Sequence, residues 1–454
     1  MLFRDSYTGK TFAQLWAAAA GFGLLVTPFP GQAQDSGKTR PDIEDWSVHG
    51  QSTFVYQGYP TYHAAFSGPN SLAPNSQAKE TFDATLFLGV RLFDNLAFYA
   101  NPEIDQGFGL SNTVGAAGFT SGEAYKVGEY HPYYRMPRAF FHYVYDLGGE
   151  VETDSPDANL LAGSHSHDNL TFLLGKFGVP DVFDTNPYAH DPRADFLNWT
   201  IVDAGAFDYA ADAWGFTYGG VAEWTQSWWT LRAGLFDLSR RPNATVLTRD
   251  LGQFSIVTEG EERHELWHQP GAVKLLFFVN RGRMGSYGDA IALGEASDST
   301  PDTSLVRRFT SRAGGAINVQ QQIHGDLGAF LRLSLNNGNE ETFEFTDVNR
   351  SVSGGLSLQG SRWGRPDDTV GLAGVVNGIS PAAQRYLAAG GLGVLVGDGA
   401  LPRYGVEKIL ETYYSARLAH WAAVSFDYQF VDNPAYNPMR GPISVFAIRG
   451  HVEF

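Results

Sequence analysis

The chain has 454 residues, no cysteine and a formal net charge of −17. The absence of cysteine excludes disulfides and thiolate zinc sites, and the acidic balance disfavours a nucleic-acid partner, which needs clustered lysine and arginine. A hydrophobic content of 43% is far below that of a bundle of membrane helices, while the length allows several domains or one large barrel.

The first 33 residues have the composition of a secretory signal peptide. Basic residues at positions 4 and 10 precede an apolar run over 12–26, and Gly31-Gln32-Ala33 offers a small-residue cleavage site. This order predicts export and cleavage after Ala33. A transmembrane anchor is the alternative, but the run is short for a span, and no later stretch reaches about 18 uncharged apolar residues. We expect residues 34–45 to form a short periplasmic segment ahead of one barrel domain, 46–454.

Alternation of apolar and polar residues dominates the rest of the chain. Every second residue is apolar in the segment 82–90, and the segment 327–335 repeats the pattern. Successive side chains of a strand point to opposite faces, so each segment has one apolar and one polar face. The pattern predicts sixteen strands, at 46–57, 80–92, 95–103, 134–145, 170–178, 212–224, 228–237, 260–268, 272–281, 311–322, 326–336, 351–360, 369–377, 404–417, 420–431 and 443–454.

Short links follow the even-numbered predicted strands, and long links follow the others. The short links lie at 94, 225–227, 269–271, 323–325, 361–368 and 418–419, and long ones at 58–79, 104–133, 179–211, 238–259, 282–310 and 378–403. Bacterial outer-membrane barrels have short periplasmic turns and long external loops. We therefore predict an all-β fold, a transmembrane antiparallel β-barrel of sixteen strands with long extracellular loops. A soluble periplasmic sandwich or propeller is the alternative, because both also have one buried face.

One link breaks this rule. Residues 146–169 should form a turn and are too many for one, which indicates an elaborated turn or a misplaced strand boundary.

Several short motifs follow one another along the chain in an order that points to one family. They are GFGLSNT at 107–113, GEAYKVG at 122–128, AHDPR at 189–193, DFLNW at 195–199, GAFDYA at 205–210, WGRP at 363–366, ETYY at 411–414 and NPAYN at 433–437. In these motifs the chain resembles the carbohydrate-selective porins of the OprB type. The resemblance implies passive uptake of small neutral, glucose-like sugars through a sixteen-stranded pore in the bacterial outer membrane.

If the apolar series face lipid, the alternate residues face the pore. The basic set is Arg91, Arg232, Lys274, Arg332, Arg417 and Arg449, and it nearly balances the acidic set Asp83, Glu103, Glu411, Asp427 and Glu453. A balanced lumen gives no strong barrier or well for either ion sign, which suits an uncharged polar solute. Hydroxyl, amide and aromatic partners for a sugar fall on the same parity, among them Tyr99, Asn101 and Tyr413.

Sixteen strands alone enclose a wide channel, so we expect one loop to fold inward. The candidate is 179–211, with Asp191, Arg193 and Asp195 as constriction charges; equally, these three could brace the loop by salt bridges. A lumen ion pair between Arg417 and Glu411 that holds the barrel's shape is likewise an alternative to ligand contact.

Other motifs give little support for an enzyme. His264-Glu265-Leu266-Trp267-His268 matches the zinc-protease pattern, but that chemistry needs a helix and Gln269-Pro270-Gly271 follows at once. Residues 380–391 predict a short capped helix within a loop. We therefore expect no catalytic residue, metal or cofactor. Expected partners are small sugars, outer-membrane lipid and lipopolysaccharide, not nucleic acid, with the chain a monomer or homotrimer. The alternatives are a channel for other solutes, a barrel-borne hydrolase and an adhesion or structural barrel.

Overall fold

Sixteen antiparallel strands close into one barrel in the computed structural model, which describes residues 43–454. This confirms the predicted fold class. The predicted signal peptide and most of the segment 34–45 lie outside the described residues. The strands are β1 Trp46–Tyr59, β2 Gln77–Phe93, β3 Leu96–Gly107, β4 Tyr133–Asp154, β5 Gly163–Phe177, β6 Thr217–Gln226, β7 Trp229–Asp237, β8 Phe254–Leu266, β9 Gln269–Met284, β10 Arg308–His324, β11 Leu327–Asn336, β12 Arg350–Gly360, β13 Arg365–Gly378, β14 Glu407–Ala419, β15 Ala422–Asp432 and β16 Ile443–Glu453.

The period-two pattern separates an apolar outer face from a polar inner face. On β11, Leu331 and Leu333 point outward and are exposed, whereas Arg332 between them points inward and is 1% exposed. On β2, Leu86 and Leu88 are likewise exposed on the outer face. An outer surface of exposed apolar side chains is stable only against an apolar medium. None of the helices within residues 43–454 is long and apolar enough to cross a membrane.

The barrel closes where the first strand meets the last. β1 pairs with β16 from Gln51 opposite Glu453 to Gly58 opposite Phe446. Phe454 adds two backbone hydrogen bonds to Gly50, each 2.9 Å, and its ring covers the space that a side chain at position 50 would need. Closure pairs the backbone of every strand on both sides, so no edge is left to be satisfied inside a bilayer.

The start of β1, the end of β16 and the short links lie at one end of the barrel, which we call the turn end. The predicted turn at 269–271 is wrong, because β8 and β9 stay paired until Leu266 meets Gln269. The turn is instead Trp267-His268, both with positive φ, as a two-residue hairpin of the right twist requires. His264 therefore lies on a strand and His268 in a turn, not on one helix.

The long link at 146–169 is mostly strand. β4 continues to Asp154 and β5 begins at Gly163, so that only residues 155–162 connect them. The predicted strand boundaries at 145 and 170 were therefore misplaced. The β4–β5 hairpin, residues 144–168, extends past the neighbouring strands at the turn end, because β3 pairs with β4 only up to Tyr143 and β6 pairs with β5 only from Asn169.

The opposite end, the loop end, carries the long connections, which contain three α-helices within residues 43–454: α1 Trp199–Val202, α2 Tyr287–Ala296 and α3 Pro381–Ala388. The predicted helix after Ser380 is confirmed as α3, with the Ser380 side chain accepting from the Ala383 N–H. The helices α2 and α3 pack through Tyr287 and Tyr386, whose ring centroids lie 4.9 Å apart. An apolar cluster contributed by several loops therefore covers part of the loop end.

Candidate functional site

The connection between β5 and β6, residues 178–216, folds into the barrel; we call it L3. Its backbone is held by charged side chains of the far wall. The Glu411 carboxylate on β14 accepts the N–H groups of Leu197 and Asn198 at 2.5 and 3.0 Å, and Asn198 donates in turn to Gln429 on β15. A buried carboxylate with two backbone donors is well satisfied, so Glu411 anchors L3 against the wall.

Arg332 on β11 holds another part of L3. Its guanidinium lies 3.1 Å from a carboxylate oxygen of Asp184 and donates to the carbonyls of Asp184, Ala189 and Ile201 at 3.0, 2.8 and 2.9 Å. Because these partners use the donors of a fully buried guanidinium, Arg332 fixes the path of the loop.

The tip of L3 is fixed by β16. Arg449 donates to the carbonyls of Pro192, Ala194 and Asp195 at 2.6, 2.9 and 2.8 Å. The Asp195 carboxylate accepts the N–H groups of residues 190 and 191, and the Asp191 carboxylate accepts that of Arg193. The tip is therefore a compact turn pressed against the wall.

A cavity of about 800 Å³ lies inside the barrel beside L3. It is bounded by L3, by strands β2 and β4–β7, and by the connection between β3 and β4, residues 108–132, which we call L2. Its lining reaches from Phe345 and Leu395 in loop-end connections to Asp157–Leu160 in the β4–β5 connection at the turn end. The cavity thus extends along the barrel from one end towards the other, and we call it the passage.

Arg193 is the central cation of the passage. It lies 3.5 Å from Asp83 on β2, 3.4 Å from Glu103 on β3 and 3.4 Å from Glu123 in L2. Asp191 lines the passage beside it. The Arg193 guanidinium joins L3 to the opposite wall and also faces the open volume. The same side chain therefore holds the loop in place and lines the passage.

A second charged group lies beside it on β4. Arg138 makes a two-pronged contact with Asp181 of L3, at 2.7 and 2.6 Å, while Arg135 pairs with Glu103 and Asp105 at 2.8 and 2.5 Å. Forked pairs of this kind fix both partners in orientation as well as in distance. Further charged lining residues of both signs are Lys126, Asp203, Glu223 and Arg232.

Aromatic rings form another part of the lining. Trp199 stacks on Phe119 and also contacts Tyr209 and Phe345, with centroids 5.1, 5.9 and 5.6 Å away. Further rings that line the passage are Phe87, Tyr125, Phe140, Phe177, Trp214 and Phe216. The passage therefore offers apolar faces and charged hydrogen-bonding groups in the same volume.

Two L3 carboxyls have a raised pKa. Burial, reinforced by Asp184, raises the pKa of Asp203 to about 8. Burial, reinforced by Asp191, raises the pKa of Asp195 to about 6. Asp203 lines the passage, so its charge there depends on pH near neutrality.

The other residues proposed from the sequence lie apart from the passage lining. Arg91 and Tyr99 lie near the turn end and bond to the β4–β5 connection. Asn101 is buried on β3 opposite Arg138. Tyr413 packs edge-on against Phe196 of L3, and Asp427 accepts from Gln429. Arg417 pairs with Glu453 at 2.8 Å, and not with Glu411.

The alternation of apolar and polar residues did not predict that Arg135 and Arg138 of β4 face inward, for a physical reason. Asn101 pairs with Arg138 and Glu103 with Arg135. The two β3 residues are two positions apart and their β4 partners three, so β4 has one extra residue here. This β-bulge contains Pro137, and it turns both arginines inward although their spacing of three is wrong for one face of a regular strand. The proline in an alternating segment was the available signal.

Comparisons with known proteins identify a family and a fold. The model of the carbohydrate-selective porin, OprB family, matches residues 69–454. The solved structure of OprB from Pseudomonas putida is similar with a TM-score of 0.70 at 13% sequence identity, covering 90% of this chain and 94% of that one. The outer-membrane channel DcaP of Acinetobacter baumannii has a TM-score of 0.49 at 9% identity, with 90% and 97% covered. No curated protein matches the sequence.

Proposed function

Because the chain belongs to the carbohydrate-selective porin (OprB) family, we propose that it admits small neutral, glucose-like sugars by passive diffusion through the passage beside L3. It is a porin of the bacterial outer membrane, and its turn end faces the periplasm, as in other bacterial barrels. Transport is driven by the solute gradient alone, with no chemical step.

The observation that carries this proposal is the combination of aromatic faces and paired charges around one cavity. A pyranose has apolar C–H faces and a rim of hydroxyl groups, so it can pack on Trp199 while it exchanges hydrogen bonds with Arg193 and Asp191. Paired charges of both signs create no deep well for a small ion. The lining therefore matches a neutral polyol better than a charged solute.

The proposed roles divide into two groups. Arg193, Asp191, Arg138 and Trp199 contact the sugar, and Glu103 positions Arg193 from behind. Among the remaining sequence candidates, Asn101 is buried in the wall on β3. The others keep L3 and the rims in place, and they are Arg91, Tyr99, Asp195, Arg332, Glu411, Tyr413, Arg417 and Asp427.

Further proposals concern the surroundings of the barrel. The exposed apolar outer face meets outer-membrane lipid, and Arg281, Arg283 and Arg350 near its loop end suit the phosphates of lipopolysaccharide. We also propose that residues 1–33 are a cleaved signal peptide and that the barrel works as a monomer or a homotrimer. Native mass spectrometry of the detergent-purified protein tests both the mature N-terminus and the oligomeric state.

Liposome swelling tests the function. Proteoliposomes should swell faster in isotonic glucose than in gluconate or glucosamine of nearly the same size, because only the neutral sugar leaves the paired charges undisturbed. Equal swelling with all three solutes would indicate a general channel, and no swelling would eliminate the porin function.

A further inference from the structure

The β4–β5 hairpin extends beyond the barrel wall at the periplasmic end and bends. Past Tyr143 and before Asn169 its two strands pair only with each other. The register shifts twice, around Gly148, and both Gly148 and Gly149 have positive φ, of 115° and 93°. Such bulges bend a two-stranded ribbon, and glycine adopts the required backbone without steric cost.

The connecting segment of the hairpin, residues 155–162, returns to the barrel mouth and is fastened there. The Leu161 N–H donates to the Tyr99 hydroxyl on β3 at 3.0 Å, and the Leu161 side chain is 3% exposed in an apolar cluster with Tyr99 and Phe140. A leucine buried against inward-facing residues of β3 and β4 places the segment inside the opening.

A second anchor holds the next residue. Arg91 donates to the carbonyls of Ala162 and Glu44, at 2.9 Å each, while the Ala162 N–H donates to the Glu44 carboxylate at 2.9 Å. The Glu44 N–H returns a bond to the Ala162 carbonyl. These contacts fasten the hairpin to the rim at the foot of β1 and β2.

The tip itself is a closed turn. Asp157 and Leu160 exchange two backbone hydrogen bonds of 2.9 and 3.1 Å, and all four residues from Asp157 to Leu160 line the passage. They lie in the lining together with Phe87, His142 and Leu173. The turn therefore occupies part of the exit of the passage.

Cross-strand contacts between histidine and carboxylate side chains support the projecting part of the hairpin. His165 lies 3.1 Å from Asp154 and 3.8 Å from Glu152, and His167 lies 3.3 Å from Glu152. An isolated two-stranded ribbon is marginally stable in water, so cross-strand pairs of this kind support it.

From these contacts we infer that the β4–β5 hairpin is a second constriction of the channel, at its periplasmic exit, which limits the size of the sugar that leaves the barrel. The inference rests on the proposed passage. L3 and L2 form the first narrow zone, and the tip at Asp157–Leu160 forms the second. A solute must pass both.

The lack of native cysteine allows a direct test. Ala158→Cys places one thiol at the tip, in the passage lining, and Val151→Cys places one on the projecting part of the hairpin, where residue 151 is 72% exposed. Each variant is reconstituted in planar bilayers and treated with a bulky thiol reagent from the periplasmic side. The current through the Ala158→Cys channel should fall by at least about half, whereas fully labelled Val151→Cys channels keep theirs. Equal currents before and after labelling of Ala158→Cys would overturn the inference.

A second variant covers the case in which the thiol cannot be labelled. Tyr99→Phe removes only the hydroxyl that holds Leu161, and it should raise disaccharide swelling about twofold or more relative to glucose. An unchanged ratio would also overturn the inference. Glucose permeation by the unmodified protein is a separate readout. If glucose permeates and neither hairpin variant has an effect, only the hairpin inference fails. If glucose does not permeate, the proposed function fails.

Discussion

The indole of Trp199 stacks on the ring of Phe119, with centroids 5.1 Å apart and ring planes 15° from parallel. The backbone N–H of Trp199 also donates to the Phe119 carbonyl at 3.1 Å. This pair joins L3 to L2 inside the lumen and gives both loops one shared aromatic surface. The proposed sugar contact therefore depends on loops that stabilise each other.

Replacing this indole tests the aromatic part of the passage. Trp199→Ala should lower glucose swelling by about threefold to tenfold, as expected from the loss of one aromatic contact, and Trp199→Phe should retain most of it. Trp421→Ala serves as the matched control, because Trp421 lies in an exposed turn between β14 and β15. A uniform rise in swelling for all solutes would indicate instead that the side chain only plugs the lumen.

Neutralising Arg193 should change ion selectivity. In Arg193→Gln, Asp83, Glu103 and Glu123 lose their shared cation, so the reversal potential in a KCl gradient should shift towards cations. Glu103 keeps its pair with Arg135, but Asp83 and Glu123 are left without a cation, which should cost about 3 kcal/mol of stability. Arg417→Gln, at the exposed rim pair with Glu453, should change both quantities little. An unshifted reversal potential would show that Arg193 does not face the ion path.

Loosening the L3 tip should open the channel. Arg449→Met removes the donors to three loop carbonyls, and we expect higher and noisier single-channel conductance together with a lower melting temperature. Lys408→Met is the control, since its pair with Asp432 lies at the surface and contributes about 0–1 kcal/mol. Conductance traces identical to wild type would mean that Arg449 does not hold the tip in the membrane.

The charge of Asp203 should make the channel sensitive to pH. Its pKa is raised to about 8 by burial and by Asp184, while burial lowers the pKa of nearby His190. As the pH rises from about 7 to about 9, Asp203 ionises and cation preference should increase. Because the pKa is raised on folding, stability should fall as the pH rises from about 4, near the unfolded pKa, to about 8, and should then level off. Asp203→Asn should remove both trends. Reversal potentials and melting curves at each pH measure them.

The alternation of the sequence predicted the barrel because lipid and water impose opposite demands on the two faces of a strand. Leu331 and Arg332 lie on opposite faces of β11 as predicted. The same rule could not reveal that Arg332 and Glu411 hold L3, since contacts between distant segments leave no local pattern.

Strand ends were harder to predict than strands. The β4–β5 hairpin continues into water, where neither lipid nor a neighbouring strand demands alternation, so its residues read as a polar link. The bulge at Pro137 likewise broke the period and concealed Arg138. Inward parity was therefore a good guide to the wall, but the passage is lined mainly by loops.

A crystal structure of the purified barrel grown with glucose would show whether the passage beside L3 binds the sugar. We expect a sugar in the passage, with one ring face on Trp199 and hydroxyl groups on Arg193 and Asp191. Glucose bound only outside this volume would contradict the proposal. An L3 that lies outside the lumen and has lost its contacts with Arg332 would contradict it as well.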